Sequence, residues 1–489
     1  MKEAYRAKDK EVKRNARRDK RAFIESMAQE AELAALRGEM STVFKITRRL
    51  CGQNTSKSVP VKNKEGNQIT TEREQAERWE QHFKEVLNRP EPDDPAEPTA
   101  PQEMLDVDIS PPTEEEVKTA IKKMKSGKAA GIDGIYAEML KADLDTSAKI
   151  LSKLFHTIWE TDTIPEDWSK GLIVKLPKKG DRQNCDNWRG ITLLSIPSKV
   201  FCRVLLSRIG IQIDKMLREE QAGFRKGRGC IDQIFTLRNI VEQCLEWNAP
   251  LFINFVDFRK AFNSVHRETL WKILKSYGVP TKLVEMIELF YNNFECSVIL
   301  DNNTTSKWFP VKSGVRQGCI ISPILFLICI DWIMRNTTAD KPRGIQWTLF
   351  SQLEDIDFAD DLAILSSTPK HLQEKTDRLT QFSKKTGLNI NTDKTQVMCI
   401  NPPAPSQITA EGKVLESVQD FTYLGSVVST DNGAQKDIKA RLGKARSTYA
   451  RLKPIWKSKA YSMKTKIRLY NSLVKSVLLY SSECWRIIQ

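Results

Sequence analysis

The 489-residue chain lacks several patterns that would place it in a common protein class. Its ten cysteines form no Cys-x-x-Cys pair and it has only four histidines, which indicates neither a zinc site nor a disulfide framework. Its most apolar stretch, Cys319–Ile330, is shorter than the ~20 residues that a membrane span needs. The first residues are charged, so they predict no secretory signal. We therefore expect an intracellular protein in a reducing compartment, with no membrane partner.

What the chain does have is an excess of positive charge. Lys and Arg number 77 against 62 Asp and Glu, a formal net charge of +15. This charge fits a polyanionic partner bound in a salt-sensitive way, although lysines scattered over a basic protein give the same total. One dense run, Lys13–Arg21, predicts a solvated helix face, with nucleic-acid contact or nuclear targeting as the alternative.

Two adjacent aspartates, Asp360 and Asp361, lie inside an apolar run that predicts a β-hairpin, Ile356–Leu365. Ionised carboxylates side by side repel each other, and a bound cation relieves the repulsion. An oxygen-only site with room for substrate phosphates suits Mg²⁺. Successive strand residues point to opposite faces, so we expect Asp360 to be the main ligand and Asp361 a weaker one. A solvated surface turn is the alternative for the pair taken alone.

A third carboxylate, Asp257, ends another apolar run, Leu251–Val256. This run predicts a strand buried on both faces. A carboxylate at the end of a central strand can face a hairpin on a neighbouring strand, and two or three such groups can hold two Mg²⁺ ions for in-line phosphoryl transfer. An aspartate that caps the next helix is the alternative.

Characteristic segments follow one another in a fixed order. They are VDFRKAF (Val256–Phe262), SGVRQGCIISPILF (Ser313–Phe326), FADD (Phe358–Asp361) and GLNINTDKT (Gly387–Thr395). With these motifs, and across roughly residues 112–485, the chain resembles the reverse transcriptase of a non-LTR (LINE-type) retrotransposon. The resemblance implies an α+β right-hand polymerase fold, with fingers, a palm with an antiparallel sheet and a helical thumb, preceded by a helical N-terminal extension.

The implied activity is that of an RNA-directed DNA polymerase. It would add dNTPs to the 3′-hydroxyl of a DNA primer on an RNA template, using two Mg²⁺ ions, with Mn²⁺ as an alternative. By resemblance, the metal ligands are Asp257, Asp360, Asp361 and the backbone carbonyl of Phe258. Lys394 would lie near the pyrophosphate leaving group, where an ammonium can donate a proton or stabilise charge. A lone lysine in a turn is otherwise solvated.

The resemblance also assigns nucleotide-binding residues. Arg189 would contact the triphosphate from a fingers hairpin, with Lys178 or Lys179 assisting, because a triphosphate needs cationic donors. Phe262 would be the steric gate that excludes a ribose 2′-hydroxyl. From chemistry alone, the lysines belong to a solvated loop and Phe262 to an ordinary core.

Two glycine-containing loops complete the implied site. Gln317 and Gly318 would lie against the nucleotide and the template base. Arg225, Lys226 and Arg228 would bind template or primer, since glycines between them let the backbone approach phosphates closely. A glycine turn and a basic surface loop are the respective alternatives.

The expected domains are a basic helical extension (1–88), an acidic proline-rich linker that is extended and unpacked (89–111), fingers and palm (112–400), and a truncated thumb or connection (401–489). The endonuclease that relatives carry upstream is missing, so we expect a piece of a longer element protein or a decayed genomic copy. Two other functions stay open: an inactive remnant that only binds nucleic acid, and an intron maturase. Integration would require access to the nucleus, and the oligomeric state is not predicted.

Overall fold

The computed structural model describes residues 2–51, 60–101, 103–300 and 304–485. These residues form two compact units: one joins the described parts of residues 1–58 and 425–489, and the other spans residues 59–424. The functional boundaries expected near residues 88, 111 and 400 stay predictions, and residues 52–59 of the expected extension lie outside the described chain. Within the described residues, no helix combines the length and the apolar character that a membrane crossing requires.

Helices make up much of both units. In chain order they are α1 (Lys2–Leu36), α2 (Met40–Leu50), α3 (Glu72–Val86), α4 (Glu114–Lys122), α5 (Ala137–Ala142), α6 (Leu144–Thr161), α7 (Ile196–Met216), α8 (Cys230–Glu246), α9 (Ala261–Ser264), α10 (Arg267–Ser276), α11 (Thr281–Leu289), α12 (Ser322–Thr338), α13 (Pro369–Lys385), α14 (Gln435–Arg451), α15 (Lys453–Lys457), α16 (Met463–Tyr470) and α17 (Ser476–Leu478). The apolar stretch expected to be a core helix begins α12, which confirms that prediction.

The strands are short. They are β1 (Lys170–Pro177), β2 (Trp188–Leu193), β3 (Leu251–Val256), β4 (Glu295–Val298), β5 (Phe309–Pro310), β6 (Ile345–Gln346), β7 (Gln352–Leu353), β8 (Asp355–Phe358), β9 (Asp361–Ser366), β10 (Gln396–Ile400), β11 (Thr409–Ala410), β12 (Lys413–Val414), β13 (Glu416–Ser417), β14 (Asp420–Tyr423) and β15 (Ser426–Ser429). Together with the helices they confirm the predicted α+β class.

A central sheet of order β13-β10-β3-β9-β8 organises the larger unit. Every residue of β3 is buried, as the apolar run Leu251–Val256 predicts. β3 pairs antiparallel with both β10 and β9, and β8 with β9 forms the predicted hairpin. A second sheet of order β2-β1-β4-β5 carries the β1–β2 hairpin. The central sheet therefore brings the end of β3 beside the tip of the β8–β9 hairpin.

The smaller unit has its own core. The C-terminal half of α1 buries Met27, Ala28, Ala31 and Ala34, and these pack with side chains from α2 and from residues 445–474. Residues 2–26 of α1, by contrast, contain no buried side chain. The helical character expected for residues 1 to about 50 is confirmed by α1 and α2.

The proline-rich segment at residues 89–111 is only partly as expected. Its described part forms neither helix nor strand, but the expectation that it is unpacked is wrong. Ala96 is buried and its N–H donates to the carbonyl of Lys385 at 3.1 Å, while the N–H of Leu105 donates to the carbonyl of Gly278 at 2.7 Å. Prolines lack the N–H that a helix or sheet needs, yet they leave other backbone groups able to bind a neighbouring surface.

Candidate active site

The tip of the β8–β9 hairpin places the aspartate pair at the edge of the central sheet. Phe358 pairs with Asp361 across the turn, and Ala359 between them has φ +58°, a left-handed conformation that side chains rarely adopt. On β3, Val256 lies opposite Leu362. Asp257 follows directly after β3, so all three predicted metal-binding carboxylates reach the same edge.

The carboxylates affect one another's charge. Burial, and then the charge of Asp257, raise the pKa of Asp360, while Arg189 counteracts the rise. The side chain of Asp361 is accessible, but surrounding protein atoms displace part of its water, and Asp360 and Asp257 repel its charge. These effects raise the pKa of Asp361 to about 6. A cation bound between the carboxylates would relieve mutual repulsion of this kind.

The donor set suits a cation that takes further oxygens from its substrate. Among the described residues, no three Asp, Glu, His or Cys side chains form a ready-made metal cage. Mg²⁺ commonly binds through one or two carboxylates and completes its coordination with water and substrate phosphates. The aspartates Asp257, Asp360 and Asp361 fit that mode of binding.

Asp257 is held by the segment that follows the hairpin. The N–H of Asn391 donates to the carbonyl of Asp257 at 2.8 Å, and its side-chain amide donates to the Asp257 carboxylate at 2.9 Å. Lys394 lies 3.7 Å from the same carboxylate. The helix-capping alternative is excluded because α9 begins after Lys260, not after Asp257. Phe258 is buried, and its role as a carbonyl ligand stays a prediction.

Cations gather on the fingers side of these carboxylates. Burial lowers the pKa of Lys178, and nearby positive charges lower it further. Those charges belong to Lys260, Arg189 and Lys394. Both Lys178 and Lys179 are exposed, and Lys178 is the one whose charge interacts with this cluster. The sequence left open whether Lys178 or Lys179 would assist Arg189, and this interaction favours Lys178. The contact with the triphosphate itself stays a prediction.

The fingers loop is tied to the palm by an ion pair. Lys260 lies 2.9 Å from Asp186, which belongs to the loop between β1 and β2. Lys260 follows Asp257 closely in the chain, so the pair joins the loop directly to the aspartate segment.

His82 on α3 lies near the same ion pair. Its protonation should make the stability of the protein depend on pH. Burial, and then the charge of Lys260, lower the pKa of His82 to about 4, whereas the unfolded chain titrates near pH 6.5. At pH 5 the unfolded state binds a proton that the folded state does not. We therefore expect the free energy of unfolding to fall by about 2 kcal/mol between pH 7 and pH 5, and to fall less for His82→Gln. Urea unfolding at both pH values measures this; identical pH dependence of the two proteins would refute it.

The loop containing Gln317 packs against two neighbours. The Gln317 side-chain amide donates to Asn263 at 3.2 Å, and its backbone carbonyl accepts the Thr192 N–H at 2.8 Å. Gly318 has φ +122°, and a Cβ there would lie 2.2 Å from the Thr192 carbonyl oxygen. Only glycine fits this approach. Phe262 is half-buried and stacks on Phe326 of α12 at 4.2 Å. Its backbone carbonyl accepts the N–H of Val315 in the same loop at 2.8 Å. Contact of these residues with a nucleotide stays a prediction.

The basic loop at residues 225–228 is less open than expected. Arg225 is 8% exposed and donates to the carboxylate of Asp214 at 2.7 Å, as well as to backbone carbonyls. Arg228 pairs with Glu219 at 2.5 Å, and Lys226 is exposed. Arg225 therefore ties the loop to the protein, and the predicted nucleic-acid contacts of the three residues stay untested.

Two residues that sequence reasoning missed support the aspartate hairpin. Arg218 donates to both oxygens of Asp355 at 2.8 Å and to Asp357 at 2.6 Å, and both carboxylates are fully buried. The signal was present, because two aspartates two positions apart in a buried strand require a cation. Gln221 is also fully buried and binds the Ala359 peptide. No sequence pattern indicates that contact.

Comparisons with known proteins agree with this geometry. A family model described as "Reverse transcriptase (RNA-dependent DNA polymerase)" matches residues 176–428, and one described as a domain of unknown function matches residues 448–480. The RNA-directed DNA polymerase from mobile element jockey of Drosophila funebris is 25% identical, over 91% of this chain and 50% of that protein. The probable RNA-directed DNA polymerase from transposon BS of Drosophila melanogaster is 25% identical, over 78% and 43% respectively.

A solved structure is also similar, at a level that supports no inference. It is the apo telomerase of Candida tropicalis, with 15% identity, a TM-score of 0.40, and coverage of 57% of this chain and 59% of that one. The chain spans about half the length of the curated relatives it matches. The family match covers more than half of this chain and confirms the predicted right-hand polymerase fold. The chain belongs to the reverse transcriptase family, and the resemblance to the enzymes of non-LTR mobile elements that its motifs predicted is confirmed.

Proposed function

We propose that this chain is an RNA-directed DNA polymerase that extends a primer 3′-hydroxyl with dNTPs on an RNA template. The proposal depends on one observation: acidic and basic side chains lie together at one edge of the central sheet. Burial and the neighbouring carboxylates, Asp257 among them, raise the pKa of Asp360 and of Asp361 there. Lys394 lies 3.7 Å from Asp257, and the charge of Arg189 counteracts the rise in the pKa of Asp360. Nucleotidyl transfer needs both, because carboxylates hold the cation and basic side chains hold the triphosphate.

Each residue has a role that its position supports. Arg189 and Lys178 would bind and orient the triphosphate, and Lys394, beside Asp257, would stabilise charge on the leaving pyrophosphate. Gln317 is positioned by Asn263 and by the Thr192 backbone, which favours a rigid surface for the base pair that forms.

Asp257, Asp360 and Asp361, with the Phe258 carbonyl, would hold the Mg²⁺ ions. When bound, these ions would activate the primer 3′-hydroxyl and neutralise charge on the phosphates. Mn²⁺, which also takes oxygen ligands, is a second candidate. For the cellular site of action we propose the nucleus, where integration would take place.

Primer extension tests the proposal directly. A labelled DNA primer annealed to an RNA template is incubated with dNTPs, with and without Mg²⁺, using the native chain and the double variant Asp360→Ala, Asp361→Ala. Extension by the native chain that requires Mg²⁺, and none by the variant, is expected. Tight binding of the duplex by both, with no extension by either, would overturn the proposal in favour of an inactive nucleic-acid-binding remnant. Activity limited to one structured intron would instead indicate a maturase.

Phe262 provides a prediction about sugar selection. Phe262→Ala should raise the efficiency of ribonucleotide addition relative to deoxynucleotide addition by about 10- to 100-fold, because it opens space where a 2′-hydroxyl would sit. Single-nucleotide kcat/KM with dCTP and CTP measures the ratio. Phe326→Leu is the matched control, since it disturbs the stacking partner of Phe262 and leaves the ring of Phe262 in place. An unchanged ratio in Phe262→Ala would exclude the gate.

A further inference from the structure

The N-terminal part of α1 carries charges that the protein does not neutralise. Its acidic residues pair with some of its basic ones: Asp9 with Lys13 at 2.6 Å and Glu11 with Lys8 at 3.0 Å. Arg18 lies 3.6 Å from Asp19. Other cations on the same helix have no carboxylate within ion-pair distance among the described residues. Seven side chains are exposed and unpaired in this sense: Lys2, Arg6, Lys10, Arg14, Arg17, Lys20 and Arg21.

Five of these seven cations share one face: Arg6, Lys10, Arg14, Arg17 and Arg21, with Lys2 and Lys20 about 40° outside it. Because successive residues of an α-helix are about 100° apart, the five side chains fall within an arc of about 80°. They extend over about 22 Å along the helix axis. We call them the basic stripe. A solvated helix needs no such segregation, and five like charges on one arc repel each other, so the stripe costs stability unless something neutralises it.

We propose that the basic stripe binds the phosphate backbone of a polynucleotide. Phosphates recur along a nucleic-acid strand at intervals short enough for five cations to engage several at once. The other polyanionic partner to consider is an anionic membrane, which needs a broad apolar face on the same helix. Here the apolar residues Tyr5, Val12 and Phe23 fall within an arc of about 20°, but they stand seven and eleven residues apart. They therefore form a sparse line and not a broad apolar face, which favours nucleic acid. The proposal deepens the proposed function by adding a nucleic-acid contact outside the aspartate site.

Salt-dependent binding tests the basic stripe. One variant replaces all five stripe residues with Gln; the matched control replaces Lys8, on another face of α1, and the exposed residues Lys122, Lys123, Lys149 and Lys153, which lie outside α1. Each variant removes five positive charges, so net charge alone cannot distinguish them, and Gln preserves helix propensity. Binding of a labelled RNA–DNA duplex and of single-stranded RNA is measured by anisotropy across a range of NaCl concentrations. The slope of log affinity against log salt should decrease by about 4 for the stripe variant and by less than about 1 for the control.

The other outcomes decide against the proposal. Equal changes in the two variants would show a general charge effect. Binding of phosphatidylserine vesicles by the same variants is measured as well, and a stripe variant that loses only vesicle binding would show a membrane surface. Primer extension at low salt by both variants separates this question from the proposed function, because the aspartate site is unchanged in each.

An independent observation concerns Gln221, which forms two hydrogen bonds with the turn of the aspartate hairpin. Its side-chain oxygen accepts the Ala359 N–H at 2.7 Å and its amide donates to the Ala359 carbonyl at 3.2 Å. The same oxygen accepts the Gly223 N–H at 2.7 Å. A Cβ on Gly223 would lie 2.2 Å from the Ala359 nitrogen, so this loop lies directly against the turn. Both polar groups of the Ala359 peptide are thus satisfied by one buried side chain.

We infer that Gln221 is a positioning residue for Asp360. The positive φ of Ala359 costs free energy in any residue but glycine, and two hydrogen bonds from a rigid neighbour offset that cost. Without them the turn can relax to another conformation, and Asp360, the next residue, moves with it. Displacements of about 1 Å at such sites can reduce rates by about 100-fold. This inference rests on the proposed function.

Kinetics with a matched glutamine separate positioning from folding. Gln221→Ala should reduce kcat by about 30- to 100-fold and raise the Mg²⁺ concentration for half-maximal rate at least fivefold, with the KM for dNTP changed less than threefold. Gln221→Glu, which keeps the acceptor and loses the donor, should lie between. Gln233→Ala is the control, because Gln233 is also buried and donates to the carbonyls of Glu220 and Asp357, not to the Ala359 turn.

The outcomes are distinct. An inactive native chain would end the proposed function. A native chain that is active while Gln221→Ala and Gln233→Ala show the same Mg²⁺ dependence as the native chain would leave Gln221 with no positioning role. If Gln221→Ala does not fold, Gln221→Glu alone decides, through its Mg²⁺ dependence.

Discussion

Primer extension by Asp360→Asn should be about 10²- to 10³-fold slower than by the native chain, with duplex affinity unchanged. Asparagine keeps the size of the side chain and removes the charge that would bind the cation, and removal of one strong electrostatic contact from a reaction centre typically costs 10²- to 10³-fold. Asp257→Asn should have an effect of similar size, because its carboxylate shares the same edge of the sheet. Asp377→Asn on the exposed face of α13 is the matched control. Near-native rates in Asp360→Asn would exclude this aspartate from the reaction.

The same substitution should not destabilise the protein in the absence of metal. The pKa of Asp360 is raised, which means that the folded state disfavours its charge. A neutral amide removes that unfavourable interaction above the titration range of the carboxyl group. In EDTA at pH 7.5 the melting temperature of Asp360→Asn should therefore equal or exceed that of the native chain. A lower value would indicate that the carboxylate has a structural role.

Arg218→Met should have the largest effect on stability, a loss of about 3–5 kcal/mol in the free energy of unfolding. Arg218 neutralises Asp355 and Asp357 through short hydrogen bonds and lies 3.6 Å from Asp331, and the carboxylates of all three are fully buried. Removing one partner of a buried ion pair leaves uncompensated charge, which is far costlier than losing an exposed pair. Urea unfolding at pH 7.5 measures the difference.

Two comparisons identify the cause of the Arg218 effect. Adding Asp357→Asn to Arg218→Met should recover part of the loss, since it removes one of the unpaired charges. Lowering the pH should do the same, because burial and Asp355 already raise the pKa of Asp357 while Arg218 opposes the rise, and without Arg218 the carboxyl binds a proton more readily. A loss that is equal at pH 7.5 and pH 5.5, and equal in the double variant, would point to lost packing instead of charge.

Much of the central sheet could be predicted because its strands have simple patterns. The run Leu251–Val256 is apolar except for Asn254, which is typical of a strand covered on both faces, and Asp257 breaks it at the point where β3 ends. The hairpin could be predicted in a similar way, because mainly apolar stretches lie on both sides of Asp360 and Asp361. The order of motifs then supplied the family, which the comparisons confirm.

Contacts between distant segments could not be predicted in this way. Nothing in the pattern of the segment at Gln221 indicates that it lies against Ala359, because the contact joins residues 138 positions apart. The sequence predicted that Arg225 is a surface cation, since its neighbours are glycines and charged residues. The side chain is instead buried and forms an ion pair with Asp214. The linker was expected to be unpacked because composition reports local stiffness but not which surface a segment meets.

The smaller unit has a consequence for the order in which the protein is made. α1 and α2 build their core with residues 445–474, and the side chain of Ser458 donates to Glu25 across 433 positions of sequence. At typical rates of synthesis of about 5–20 residues per second, a ribosome needs roughly 20–90 s to supply the second half of that core. Throughout this interval Met27 and the alanines beside it can pack only against α2 and lack the part of their core that residues 445–474 supply. The N-terminal helices are therefore a natural substrate for a chaperone on the nascent chain. The smaller unit, although its first residues are made first, should complete its folding after the larger unit.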